Sequence, residues 1–158
     1  MISTIEKVLF LKSVDLFKDI PGEDLARVAE IATEVPFEKD ERIITEGEMG
    51  DCLYLVLEGS VRVLAGEQEV ACLGEKQCFG EMAILDSEPR SASVDACEDV
   101  FLLKITQDDF YEMMAERSDI AQGIIKVLTG RLRQANGKVT ELTNRMQKFD
   151  PMATLPAD

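Results

Sequence analysis

The sequence predicts an α+β protein, mainly β: an antiparallel sandwich or barrel preceded by a short helical segment and followed by longer helices. Three observations carry that prediction. β-branched runs broken by glycine extend from Glu34 to about residue 105, apolar residues recur at helical spacing before them, and helical spacing returns after Thr106. A chain of 158 residues suits one domain with a core that needs no metal or disulfide to fold.

Residues 1–33 read as the N-terminal helical segment. Ser3-Thr4-Ile5-Glu6 forms a capping box ahead of a helix over about 4–12. A second helix begins near Pro21, with Leu25, Val28, Ala29 and Ala32 on one face. VDLFKDI between them supplies apolar residues that pin the layer down. Residues 34–105 hold the strands EVPFE, RIITE, CLYLVLE, SVRVLA and QEVACL, then two more over 91–98 and 100–105. Gly47, Gly50, Gly59, Gly66 and Gly74 fall between runs, where turns call for positive φ. Residues 106–148 are helical: Thr106 caps a helix holding Phe110, Met113 and Met114, and a longer one runs from Ser118 to about Gln147. In the latter Leu128, Leu132, Ala135, Val139, Leu142 and Met146 follow a heptad spacing, and Gly130, Asn136 and Gly137 predict a kink near 136–137. Residues 149–158, with two prolines and no periodicity, read as a disordered tail.

Composition excludes several chemistries. The formal charge of −14 repels nucleic acid and anionic membranes, so any anionic ligand needs a local pocket. The absence of histidine weakens zinc hydrolase, haem-histidine and Ser-His-Asp readings, and with them a cupin-type enzyme, whose metal is usually held by histidines on strands. No catalytic residue and no metal ligand stands out. Cys52, Cys72, Cys78 and Cys97 show no Cys-x-x-Cys pair, which suggests reduced, mostly buried thiols in a cytoplasmic protein. No run approaches the ~20 apolar residues that span a bilayer.

The segment FGEMAILDSEPRSASV, Phe79 to Val94, differs from its surroundings. Gly80 lets backbone approach a ligand, and GEMAIL is long enough for one or two helical turns with free N–H groups. Glu81 would repel a phosphate but can accept from sugar hydroxyls. Arg90, the one basic residue between Lys76 and Lys104, can hold an anion bidentately behind Pro89. Ser91 and Ser93 add hydroxyls on one strand face, with Ala92 and Val94 on the other. The same residues also allow a Glu81–Arg90 salt bridge closing an ordinary loop.

FGEMAIL…PRSASV closely resembles the phosphate-binding cassette of cyclic-nucleotide-binding domains, and LFKDIPGEDLARVAEIA and EGEMGDCLYLVLEGSVRVL resemble that family's N-terminal helices and glycine-turned strand pair. The resemblance covers about residues 8–135. It implies a jelly-roll barrel or sandwich with a short helix inside the cassette, and a ligand site of Gly80, Glu81, Met82, Ala83, Arg90, Ser91 and Ala92. Amides near Gly80 to Ala83 and the Arg90 side chain would hold the cyclic phosphate, and Glu81 the ribose 2′-hydroxyl. Ser91, after the arginine, does not decide between cAMP and cGMP. Two departures concern turns outside the clamp: Lys76 replaces a turn glycine, and Asp40-Glu41 stands where Gly-Glu is usual.

The expected function is a non-enzymatic cyclic-nucleotide sensor, cAMP ahead of cGMP, whose C-terminal helices move to regulate a fused or associated effector. A ligand-independent scaffold of the same fold is the alternative. The ligand is the nucleotide itself, with no further cofactor; the partners are an effector absent from this stretch and a second copy paired through Leu128 to Met146, with no nucleic acid and no membrane insertion. The chain reads as a fragment, cytoplasmic either free or attached to a membrane protein. Residues 117–148 hold seven basic and two acidic residues, a local excess of five positive charges in an acidic chain.

Overall fold

The computed structural model describes residues 2–149. Helix α1 (Thr4–Lys12) starts at the expected capping box: Ser3 accepts from the Glu6 amide, and Glu6 accepts from the Ser3 amide. A 3-10 turn (Asp15–Phe17) and α2 (Gly22–Ile31) complete the N-terminal layer. Seven strands follow the expected runs: β1 (Thr33–Phe37), β2 (Arg42–Ile44), β3 (Cys52–Glu58), β4 (Val61–Ala65), β5 (Gln68–Leu73), then β7 (Ser93–Ala96) and β8 (Val100–Thr106). Between β5 and β7 lie β6 (Cys78–Phe79), which the sequence does not reveal, and the short helix α3 (Glu81–Asp86). Helix α4 (Gln107–Glu116) is capped by Thr106, and α5 runs from Ser118 to Phe149. Of the expected tail over 149–158, all but Phe149 lies outside the described residues.

The strands form two antiparallel four-stranded sheets, β1-β8-β3-β6 and β2-β7-β4-β5, in a jelly-roll sandwich. Strand β3 explains the layering. Leu53 and Leu55, with Leu103 and Ile105 of β8, face the helices and join Leu16, Phe17, Leu25, Phe110, Ile120 and Ile124 in one core. Cys52, Tyr54 and Val56 face the other way, packing with Ile44, Val61, Phe79, Val94 and Leu102 between the sheets. CLYLVL is therefore apolar on both faces, as the central strand of three layers requires.

Three expectations are corrected. Helix α5 is continuous through Asn136 and Gly137. Its docked first half has already met the cost of nucleation, so two poor helix formers cost only propagation. Of the inter-strand glycines, Gly47, Gly59 and Gly66 take positive φ, whereas Gly50 and Gly74 do not. The thiols are not mostly buried: Cys52 is buried, Cys78 and Cys97 are partly so, and Cys72 faces solvent.

The two turns that lack their usual glycine nevertheless keep the left-handed backbone, with φ of 68° at Asp40 and 72° at Lys76. An L-residue there costs roughly 1–2 kcal/mol, partly offset by the greater freedom glycine has in the unfolded chain. Lys76→Gly is expected to raise stability by about 0.5–1 kcal/mol, read as a higher urea midpoint with an unchanged m-value.

Candidate functional site

The cassette is a loop suspended between β6 and β7. Phe79 stacks on Tyr54 of β3 at a centroid separation of 5.3 Å, which anchors its start. Gly80 then turns the chain at φ 85°, α3 buries Ala83 and Ile84 while leaving Met82 exposed, and Ser87 ends the helix at φ 58°. Asp86 accepts from the Glu88 amide at 3.0 Å, leading the chain into Pro89. The Arg90 backbone is pinned against the β2–β3 turn: its amide donates to the Glu48 carbonyl at 2.8 Å, and its carbonyl accepts from Gly47 at 2.9 Å.

The Arg90 side chain is 7% exposed and runs back beneath the loop. Nη1 donates to the Gly80 carbonyl at 2.9 Å, and Nη2 to the Cys52 carbonyl at 2.6 Å, with the Cys52 thiol at 3.7 Å. It is wedged between two glycines. A Cβ on Gly80 would lie 2.6 Å from Nη1, and one on Gly50 would lie 2.7 Å from Cζ and Nε. Gly50 is therefore small because a guanidinium passes over it.

The salt-bridge alternative does not hold. No carboxylate among the described residues pairs with Arg90, and Glu81 turns the other way, accepting from Arg131 of α5 at 3.3 Å. Arg131 also donates through Nε and Nη2 to Asp15 at 3.3 and 3.2 Å. A hydrogen bond from Lys18, partly opposed by burial and joined by the bond from Arg131, holds the Asp15 carboxyl below the usual range. Beside this cluster, burial pushes the Cys78 thiol up to about 12, so it is neutral near pH 7.

All seven expected site residues, Gly80, Glu81, Met82, Ala83, Arg90, Ser91 and Ala92, line one cavity of about 280 Å³, together with Ile44, Val63 and Val94. Ser93 does not join them, contrary to the expected alternation. The strand begins only at Ser93, so Ser91 and Ala92 lie in a bend; the Ser93 hydroxyl accepts from the Glu46 amide and from Arg42 instead. Apolar wall residues, one buried cation and several convergent polar groups are the usual make-up of a small-molecule site.

Residues 34–117 match the family described as "Cyclic nucleotide-binding domain". The chain belongs to this family. This cyclic nucleotide-binding domain is 32% identical over 131 residues to a cyclic AMP receptor protein of Thermus thermophilus, covering 80% of this chain and 61% of that one. The regulatory domain of Toxoplasma gondii PKA, solved with cAMP, superposes with a TM-score of 0.65 at 29% identity over 70% of this chain and 44% of that one. The N-terminal domain of a Streptomyces coelicolor transcriptional regulator superposes with a TM-score of 0.74 at 27% identity, covering 82% and 94%. The chain spans 61% of the length of the first bacterial relatives it matches.

Several site residues were not legible from sequence. Gln107 and Tyr111 of α4 both donate to the Ile84 carbonyl at the end of α3, and Arg131 reaches Glu81 across 50 positions. Only Gly50, already marked by its place in a turn, carried any local signal. Together Gln107, Tyr111 and Arg131 tie the cassette helix to both C-terminal helices.

Proposed function

We propose that this domain is a cyclic-nucleotide sensor in which Arg90 and the amides of Gly80 to Ala83 take the cyclic phosphate and Glu81 takes the ribose 2′-hydroxyl, with Ser91 and Ala92 closing the pocket. One observation carries the reading: a buried guanidinium borders an open cavity and has no carboxylate partner among the described residues. A buried cation without a counter-charge is costly, and an anion entering the cavity relieves that cost. cAMP is placed ahead of cGMP because the regulators of the best-matched length are described by cAMP. cGMP-dependent protein kinases of Drosophila melanogaster also match, over 11–13% of their length.

Calorimetric titration with cAMP, cGMP and 5′-AMP tests this directly. Saturable heat is expected with cAMP, weaker binding with cGMP and least with the open monophosphate. No heat from either cyclic nucleotide at millimolar concentration overturns the sensor in favour of the scaffold reading.

The output of the sensor is movement of α4 and α5, which the contacts of Gln107, Tyr111 and Arg131 link to the cassette. A nucleotide that binds one arrangement of these helices better than another shifts the population toward it, and an effector fused or bound to α5 responds. No catalytic step is assigned to the domain. Nucleic acid is not proposed as a partner of these residues, whose overall charge opposes it. A cytoplasmic setting, free or tethered, fits the reading; no described helix is long and apolar enough to cross a membrane.

A second copy is the further partner proposed. Beyond its docked half, α5 exposes Leu132, Val139, Leu142 and Met146 to between 57% and 71%, on the heptad stripe expected from the sequence. The basic residues Arg131, Lys138 and Arg145 recur at seven-residue intervals beside that stripe. In a parallel pair Lys138 faces Thr143, whereas in an antiparallel pair Lys138 and Arg145 meet like charge; Arg131 is already engaged by Asp15 and Glu81 of its own chain. Leu132→Glu is expected to sediment as a monomer at concentrations where the parent is a dimer; equal sedimentation rules out the seam.

A further inference from the structure

Four charged side chains border the cassette cavity: Arg90, Glu81, Asp86 and Glu88. Three carboxylates against one guanidinium leave a surplus of negative charge around a cavity whose buried charged group is a cation. Glu81 has a counter-charge of its own, Arg131 at 3.3 Å. Asp86 and Glu88 form no ion pair with the described residues.

The fold makes no use of these two charges. Asp86 and Glu88 are both exposed. Asp86 Oδ1 accepts from the Glu88 amide at 3.0 Å, a bond that the neutral side chain of asparagine would also make. The Glu88 carboxylate bonds no described residue. With Ser87 at φ 58° between them, the loop brings both carboxylates to the border of the cavity. A sphere of about 280 Å³ is roughly 8 Å across, about one Debye length at physiological salt, so salt does not hide these charges from a ligand inside.

Ligand charge is therefore a criterion separate from ligand shape. A cyclic phosphate is a diester and carries one negative charge. A phosphomonoester carries about 1.5 to 2 at pH 7, because its second ionisation lies near 6, and a diphosphate carries more. Arg90 alone would favour the more highly charged ligand. The apolar walls and Glu81 cannot separate cAMP from 5′-AMP or ADP, which share its base and its 2′-hydroxyl. Once Arg90 has taken one charge, any excess stays in the cavity beside Asp86 and Glu88 and is repelled.

We infer that Asp86 and Glu88 are specificity-determining residues that set the charge of the ligand: the cavity takes a phosphodiester with one negative charge and disfavours phosphomonoesters and polyphosphates by repulsion. The inference rests on the proposed seat of the phosphate at Arg90.

The test measures dissociation constants for cAMP, 5′-AMP, the monomethyl ester of 5′-AMP and ADP at pH 7.5. The ester has the single charge of cAMP and the open phosphate of 5′-AMP, so charge and ring closure are read separately. The proteins are the parent, Asp86→Asn/Glu88→Gln, and Glu67→Gln/Glu75→Gln. The last removes the same number of charges from exposed positions that do not border the cavity, which controls for the field of the whole acidic chain. In Asp86→Asn/Glu88→Gln the gain in affinity should rise with ligand charge: about threefold for cAMP and for the ester, about tenfold for 5′-AMP, and more for ADP. The preference for the ester over 5′-AMP should therefore fall about threefold. In Glu67→Gln/Glu75→Gln that preference should stay as in the parent.

If the parent does not bind cAMP, the seat of the phosphate at Arg90 fails and this inference with it. If the parent binds cAMP but Asp86→Asn/Glu88→Gln gains no more for 5′-AMP than for its ester, or the control variant shows the same gains, the sensor stands and charge selection by Asp86 and Glu88 is overturned.

Discussion

Arg90→Ala is expected to bind cAMP roughly 30- to 5,000-fold more weakly than the parent, the 2–5 kcal/mol that follows from removing one side of a desolvated charge contact. Stability should change far less. The substitution orphans the carbonyls of Gly80 and Cys52, at about 1–3 kcal/mol for a buried acceptor left unmade. It also removes a buried cation that has no carboxylate partner among the described residues, which offsets that loss. Calorimetry and a thermal melt on the same preparation separate the two. A large fall in melting temperature alongside the lost affinity would show that Arg90 is chiefly a structural strut. Arg90→Lys should recover little binding, because an ammonium cannot bond both carbonyls and a phosphate in the fork geometry that a guanidinium provides.

Gly80→Ala is expected to have the second-largest effect, for two reasons that act together. The left-handed backbone at φ 85° costs an alanine roughly 1–2 kcal/mol. The new methyl would also sit 2.6 Å from Arg90 Nη1 and 3.2 Å from the Cys52 carbonyl, so the guanidinium must shift. A loss of at least about 2 kcal/mol is expected, seen as a melting point lower by about 4–8 °C, together with loss of cAMP binding. Gly50→Ala separates the causes. Its backbone has no positive φ, so only crowding against Arg90 and Ala83 remains. If Gly50→Ala leaves binding intact, the guanidinium tolerates displacement and the account of both glycines is wrong.

Much of this molecule could be read from residue types alone, because local physics decided it. The capping box at Ser3 and Glu6 and the cap at Thr106 depend on neighbours within a few positions, and each forms where the sequence places it. The cassette was legible for the same reason: glycine, glutamate, proline and arginine within eleven residues restrict what the loop can do. What escaped was set by distant partners. Nothing near Glu81 announces that Arg131 will hold it, and Gly50 has an ordinary φ, so its need to be glycine appears only once Arg90 lies over it. Strand β6 has two residues, too few for any periodicity. The kink expected at Gly137 failed because local propensity is a small term against a helix already started by tertiary docking.

The exposed half of α5 also has a mechanical meaning. From Leu132 to Phe149 the helix is 17 residue steps long, about 26 Å at 1.5 Å per step. Its base is gripped by Ile120, Gly123, Ile124 and Val127 against the body and by Arg131 against Glu81. A rotation of about 10° at that base, too small to break the core, would sweep the far end through about 4–5 Å, nearly a full helical turn of pitch. On the proposed sensor reading the arm would work as a pointer: an angular change of about 10° at its base would become a displacement large enough to shift one knob out of its hole in the helix of a second copy.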